Sequence, residues 1–100
     1  MGSQNQLGPL PGGNASTKNI TATTVIKATA GRVYTVSVVV AGSAAGSVYD
    51  NNSTSAGNTA ANQIGTIPDT VGQVPFYGFP TSTGITLVPG TGQTLAISWS

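Results

Sequence analysis

Cysteine, histidine and glutamate are all missing from this chain of 100 residues. Without cysteine and histidine there can be no disulfide, no thiolate nucleophile and no imidazole base beside a serine. The side-chain carboxylates available for acid–base catalysis are Asp50 and Asp69, and the chain has no G-x-S-x-G motif. We therefore expect a protein that is not an enzyme, with no catalytic residue, no cofactor and no metal site.

Charge is also scarce, at 5% of residues against about 25% in an ordinary globular domain. Three cations, Lys18, Lys27 and Arg32, are too few to neutralise a nucleic-acid backbone, so we expect no nucleic-acid partner. The sequence has no basic amphipathic helix and no apolar run of 18 residues, so we expect no membrane partner either. Repulsion between like charges keeps protein monomers apart in solution. A surface with so few charges is therefore typical of a protein that is part of an assembly.

The first 17 residues, MGSQNQLGPLPGGNAST, contain mostly glycine, proline and small polar residues. They have neither the basic nor the apolar region of a secretory signal, so we expect synthesis and use without export. Their composition predicts an extended N-terminal arm over residues 1–17, followed by one domain over residues 18–100. The apolar and rigid residues of this arm, which we expect to bind a partner, are Leu7, Pro9, Leu10 and Pro11.

Strand patterns dominate the rest of the chain, and helical spacing of apolar residues is missing. Short runs rich in β-branched residues alternate with glycine and proline, which predicts an all-β domain: an antiparallel β-sandwich or small barrel of about seven strands. Pro75 lies inside one run and indicates an edge strand or a bulge. The seven runs cover residues 19–28, 32–40, 47–50, 61–68, 72–79, 84–89 and 93–99.

Alternation of apolar and polar side chains predicts which residues form the core, because successive side chains of a strand point to opposite faces. The clearest examples are RVYTVSVVV (32–40) and QTLAISW (93–99). The residues that we assign to the core from these two strands are Tyr34, Val36, Val38, Leu95, Ile97 and Trp99.

Two polar loops have some features of ligand sites. The segment PGTGQT (89–94) lacks the lysine of a phosphate-binding loop, and we expect a hairpin turn that joins the last two strands. The segment YDNNSTSAGN (49–58) offers one carboxylate, which is a weak ligand set for calcium. We expect it to be a surface loop stabilised by Asx turns.

The aromatic cluster PFYGFP (75–80) is the best binding candidate in the domain. If Phe76, Tyr77 and Phe79 are exposed, they can stack on sugars or anchor a protein interface. The alternative is that Phe76 or Phe79 fills the core from an edge strand while Tyr77 points outward. The sequence leaves both interpretations open.

The segments TTVIKATAGRVYTVSVVVAGSAAGSVYDNN, ANQIGTIPDTVG and FPTSTGITLVPGTGQTLAISWS resemble small virion-associated proteins of tailed bacteriophages, of the head decoration (cement) or short head-fibre type. The resemblance covers roughly residues 20–100 and leaves the arm outside it. It implies a structural protein on the virion capsid surface, made in the cytoplasm of a bacterial host. The implied partners are the major capsid protein and copies of the chain itself, as a homotrimer. A head- or tail-fibre module that binds a host-surface glycan is the alternative.

Overall fold

The computed structural model describes residues 15–100, and this part of the chain is all β. The predicted partner-binding residues of the arm, Leu7, Pro9, Leu10 and Pro11, lie outside the described residues. The strands, in chain order, are β1 (Ala15–Ile20), β2 (Thr24–Lys27), β3 (Gly31–Val40), β4 (Gly46–Tyr49), β5 (Gln63–Ile67), β6 (Gly72–Thr81), β7 (Ile85–Val88) and β8 (Thr94–Trp99).

The eight strands form two antiparallel four-stranded sheets, which confirms the predicted β-sandwich. Sheet A has the strand order β1-β8-β3-β6, and sheet B has the order β2-β7-β4-β5. The chain changes sheet at every connection except the one between β4 and β5. This strand order is that of a jelly roll, a double-sheet architecture of eight strands.

The core lies between the sheets and contains four of the six residues predicted for it. Val36 lies opposite Ile97 and Val38 lies opposite Leu95 across the β3–β8 pair, and all four are buried. The complete set of buried core residues is Ile20, Val33, Val36, Val38, Val48, Ile67, Ile85, Leu87, Leu95 and Ile97.

The other two predicted core residues occupy different positions. Trp99 is half-buried at the end of β8, where it packs against the core. Tyr34 is buried, as predicted, but its ring lies beside Gly78 of the β6 bulge and outside the cluster between the sheets. A bulge between Val33 and Thr35 leaves Tyr34 as the extra residue of β3, so Val33 takes the core position instead.

Residues 19–28 were predicted to form one strand, but the structure divides them between the two sheets. β1 ends at Ile20 in sheet A, and β2 begins at Thr24 in sheet B. Asn19 has a left-handed backbone with φ of 58°, and the Thr24 hydroxyl donates a hydrogen bond to the Ala22 carbonyl (2.8 Å) across the bend. The strand propensity of Thr, Ile and Val is the same on both sides of this bend, so the pattern did not reveal it.

The predicted boundary of the arm also moves. Ala15, Ser16 and Thr17 pair with Trp99, Ser98 and Ile97, so these three residues belong to the domain. β1 is an edge strand of sheet A.

The predicted hairpin at residues 89–94 was wrong, because β7 and β8 lie in different sheets. The Gln93 side chain is buried in this crossover. Its Nε2 donates to the Pro68 carbonyl (2.9 Å), and its Oε1 accepts from the Gly90 amide (2.9 Å). A buried amide held at both ends fixes the path between the sheets, where a hairpin turn would have left the side chain in solvent.

Candidate functional site

The carboxylate of Asp50 has a structural role in the β6–β7 loop. It accepts hydrogen bonds from the backbone amides of Ser82 (3.0 Å), Thr83 (2.8 Å) and Gly84 (3.3 Å), and from the Ser82 hydroxyl (3.1 Å). Desolvation by burial raises the pKa of Asp50, but these hydrogen bonds together outweigh it and lower the pKa below its usual value. Because the oxygens already accept four donors, Asp50 acts as an anchor for the loop.

The neighbouring loop, residues 51–58, is held by its own side chains. The Nδ2 group of the buried Asn51 points at the Ser53 carbonyl (3.3 Å), the Ala56 carbonyl (2.7 Å) and Asn58 Oδ1 (3.0 Å). The Ser53 hydroxyl accepts from the amides of Ser55 and Ala56. The loop is therefore stabilised by side-chain to main-chain hydrogen bonds, with Ser53 making the turn and Asn51 acting as a donor. Among residues 15–100 no group of three or more metal-ligating acidic side chains is found.

The aromatic segment forms a large bulge on β6. Val33 of β3 lies opposite Phe79 and Thr35 lies opposite Pro75, so the three residues 76–78 face the single residue Tyr34. Tyr77 and Gly78 are both left-handed, with φ of 58° and 76°. A left-handed tyrosine is uncommon and costs energy, and such strain is concentrated at functional positions. β6 is an edge strand of sheet A, as Pro75 had indicated.

The bulge gives its three aromatic residues three different environments. Tyr77 is 88% exposed and Phe79 is 43% exposed, while Phe76 is half-buried and packs against the core. The structure thus combines the two sequence interpretations: Phe76 serves packing, and Tyr77 and Phe79 present their rings to solvent.

Two contacts from β3 fix the bulge from below. Arg32 donates from Nη1 to the Gly78 carbonyl (2.9 Å). The ring of Tyr34 lies directly beneath Gly78, where an added Cβ would be 3.3 Å from Cε2. Tyr77 is therefore displayed on a supported backbone, which lowers the entropy lost when a partner binds it.

A second exposed apolar area lies at the other end of β6. Val71 is 71% exposed, and Val39 and Val40 at the end of β3 are also exposed. The pairing of Val38 with Gly72 brings these ends together. This valine patch (Val39, Val40 and Val71) was not predicted from the sequence. The run of three valines at the end of β3, which breaks the alternation, was the signal that could have revealed it.

The outward face of sheet A is nearly neutral. Its four strands contain two charged residues, Lys18 on β1 and Arg32 on β3. The half-buried outward residues of the two central strands are small: Thr35, Ser37, Ala96 and Ser98. A face with small, uncharged side chains can approach another surface closely without desolvating a charge.

No helix in the described part of the chain is both long and apolar enough to cross a membrane. Comparison of the chain with protein-family models, with curated proteins and with solved structures gives no match.

Proposed function

We propose that the chain is a non-enzymatic structural protein of a bacteriophage virion, which decorates the capsid surface and stabilises the shell. The observation that carries this proposal is the distribution of exposed apolar side chains along sheet A. The valine patch lies at one end of β6, Tyr77 and Phe79 lie at the other, and the sheet between them is almost uncharged. Exposed apolar areas on a neutral sheet are typical of a surface covered by protein.

The partners in this proposal are the major capsid protein and further copies of the chain, as a homotrimer. A neutral sheet face allows copies to associate without charge repulsion. Several attachments made by one trimer raise avidity over a single contact by about 10² to 10⁴.

The arm supplies the second part of the proposed attachment. β1 begins at Ala15 on the outer edge of sheet A, so the preceding residues join the domain at its rim. Leu7 and Leu10 are the apolar residues that we expect to contact the shell or a neighbouring copy. An extended segment can add to a partner by main-chain hydrogen bonds while its side chains provide specificity.

The decisive experiment is co-sedimentation with capsid shells that lack this protein. The proposal expects the intact chain to sediment with the shells at a fixed ratio and to raise their resistance to heat. Deletion of residues 1–14 leaves β1 complete, and it should abolish shell binding while the domain stays folded. Val71→Ser should weaken binding, and Thr66→Ser, at an exposed position on β5 of sheet B, is its control.

Two results would overturn the decoration role. One is an intact, folded protein that never sediments with the shells. The other is equal binding by the intact chain and by both the deletion and Val71→Ser, which would show that neither proposed contact is used.

A fibre module that binds a host-surface glycan is the second candidate, and the display of Tyr77 favours it. A tyrosine ring that is 88% exposed on a supported bulge can stack on the apolar face of a sugar ring. Jelly-roll domains include both viral capsid and lectin domains, so the architecture is compatible with either role. A glycan array distinguishes capsid decoration from glycan binding. If the chain is a glycan-binding fibre module, it should bind a glycan on the array and Tyr77→Ser should remove that binding, whereas an array without hits argues against this role.

A further inference from the structure

A groove opens beside the turn between β2 and β3, next to the end of β8. Its volume is about 630 Å³, within the range of sites that hold small ligands. Its walls come from three distant parts of the sequence: the β2–β3 turn, the end of β6 and the last residues of the described chain. The side chains that matter for its chemistry are Lys27, Arg32, Pro80, Thr81 and Trp99.

Positive charge is concentrated in this groove. Lys27 and Arg32, two of the chain's three cations, line it, and neither of the two side-chain carboxylates does. Arg32 uses Nη1 for the Gly78 carbonyl, and the remaining guanidinium N–H groups are its further donors. A protein with five charged side chains has thus placed two like charges around one open surface groove.

The walls of the groove are held in place before any ligand arrives. Trp99 donates from Nε1 to the Thr17 hydroxyl (3.0 Å), which fixes the indole against β1. The Thr81 hydroxyl accepts from the Gly31 amide (3.1 Å). Such prior ordering lowers the entropic cost of binding.

Gly31 creates the space that Lys27 occupies. A Cβ on Gly31 would lie 2.9 Å from Lys27 Cδ and 3.3 Å from Lys27 Nζ. The nearest obstacle to that Cβ is the Ser100 backbone oxygen, so a side chain there would disturb the pairing of Arg32 with Ser100 as well as crowd the lysine. The absence of a side chain at Gly31 therefore keeps this wall of the groove intact.

We infer that this groove binds an anionic sugar, a pyranose that carries a carboxylate or a phosphate. The acidic group interacts with Lys27 and Arg32, and the apolar face of the ring lies against Trp99 and Pro80. Two cations suit a single acidic group and are too few for a polyanion such as a nucleic acid. This activity is additional to capsid decoration and uses a site separate from Tyr77, which does not line the groove.

Trp99 makes the inference directly measurable, because it is the only tryptophan in the chain. Its fluorescence is recorded on the intact protein during titration with glucuronic acid, glucose 6-phosphate and neutral glucose. We expect a saturable change with one or both acidic sugars, which also identifies the acidic group, and none with glucose. Amide chemical shifts of Lys27, Arg32 and Thr81 provide a second readout if the indole signal is silent.

Charge-removing variants test the assignment of residues. Lys27→Gln and Arg32→Gln should each weaken binding about tenfold, because each removes one partly exposed charge-assisted hydrogen bond to the acidic group. Lys18→Gln, which removes the one cation outside the groove, should leave affinity unchanged. Lys27→Gln is the cleaner variant, because Arg32 also supports the β6 bulge. A free carboxylate on Ser100 would stand beside the two cations in the groove, so all chains are compared with the same C-terminus.

Equal binding of glucose and the acidic sugars would overturn the inference. So would a loss of affinity in Lys18→Gln as large as that in Lys27→Gln, or the absence of any change in both Trp99 fluorescence and amide chemical shifts. Shell sedimentation by Lys27→Gln is measured in parallel. Normal shell binding with lost sugar binding separates the two activities. Failure of the intact protein to bind shells, with sugar binding retained, rejects decoration and leaves the groove assignment standing.

Discussion

The ring of Phe76 occupies the space that a side chain on Gly65 would fill. Phe76 belongs to β6 in sheet A and Gly65 belongs to β5 in sheet B, and both are edge strands. The contact therefore closes the sandwich along one side, between two strands that are not hydrogen-bonded to each other. A glycine on one sheet and an aromatic residue on the other form this closure together.

Gly65→Ala is expected to destabilise the protein by about 1–3 kcal/mol, the usual cost of overpacking. The new methyl group would lie 2.6 Å from Phe76 Cζ and closer still to Cε2, so the ring must move. Urea unfolding monitored by Trp99 fluorescence measures the change. Phe76→Leu in the Gly65→Ala background should recover part of the loss, because the two residues share one space. Strictly additive effects would contradict the direct contact.

Asp50→Asn should lower stability at pH 7 by about 1–2 kcal/mol, because an amide oxygen replaces a charged acceptor of four hydrogen bonds. The pKa of Asp50 is depressed in the folded protein, so its contribution is fully present above the ordinary carboxyl pKa of about 4. That contribution is lost as the pH falls from there through the folded-state pKa. Unfolding free energies measured between pH 7 and pH 2 should therefore converge for the two proteins.

Asp69→Asn is the matched control for this pH dependence. Asp69 is the other side-chain carboxylate and is exposed. Its replacement should leave both the stability at pH 7 and the acid-induced loss close to those of the original chain. If Asp69→Asn removed the acid sensitivity instead, the β6–β7 loop would not be its source.

Val36→Ala and Ile97→Ala should cost roughly 1–4 kcal/mol each, because both side chains are buried in the centre of the sandwich. They lie directly opposite each other across β3 and β8, so the double variant should depart from additivity. Val39→Ala removes the same atoms from an exposed valine and should change stability by less than about 0.5 kcal/mol. Equal losses at Val36 and Val39 would contradict this burial.

Tyr77→Gly should leave stability unchanged or raise it by up to about 1 kcal/mol, since glycine tolerates a left-handed backbone that strains tyrosine. Asn19→Gly is the control at a second left-handed position, where asparagine already tolerates the conformation and little should change. Thermal unfolding measures both. A large loss with Tyr77→Gly would mean that the ring packs within the domain and is not free for a partner.

Much of the fold could be predicted from local patterns. Alternation in β3 and β8 identified Val36, Val38, Leu95 and Ile97 as core residues, because a strand buried on one face repeats every two residues. Pro75 marked an edge strand because proline has no backbone N–H to donate to a neighbouring strand. The change of sheet after Ile20 had no such signal, because it depends on the pairing of β1 with β8 and of β2 with β7.

The candidate sites were harder to predict, because they are formed by residues that are far apart in the sequence and meet only in the folded protein. Pro75 indicated an edge strand or a bulge, and both are found, but the size of the bulge at Tyr77 arises from the pairing of β6 with β3. The groove joins Lys27 and Arg32 to Pro80 and Trp99, which are far away in the sequence. The aromatic residues of the sequence 75–80 identified Tyr77 and Phe79 as candidates for binding. The grouping of Lys27 and Arg32 in one groove could be seen only in the folded structure.

The position of β8 between β1 and β3 has a consequence for how the protein is made. Sheet A cannot be completed until Thr94–Trp99 have left the ribosome, because this last strand separates the first from the third. Pairing of Ala15 with Trp99 then closes a loop that spans almost the whole domain, which is a slow step in folding. Sheet B can pair before β8 has been made, whereas the complete sandwich forms only after translation has delivered β8.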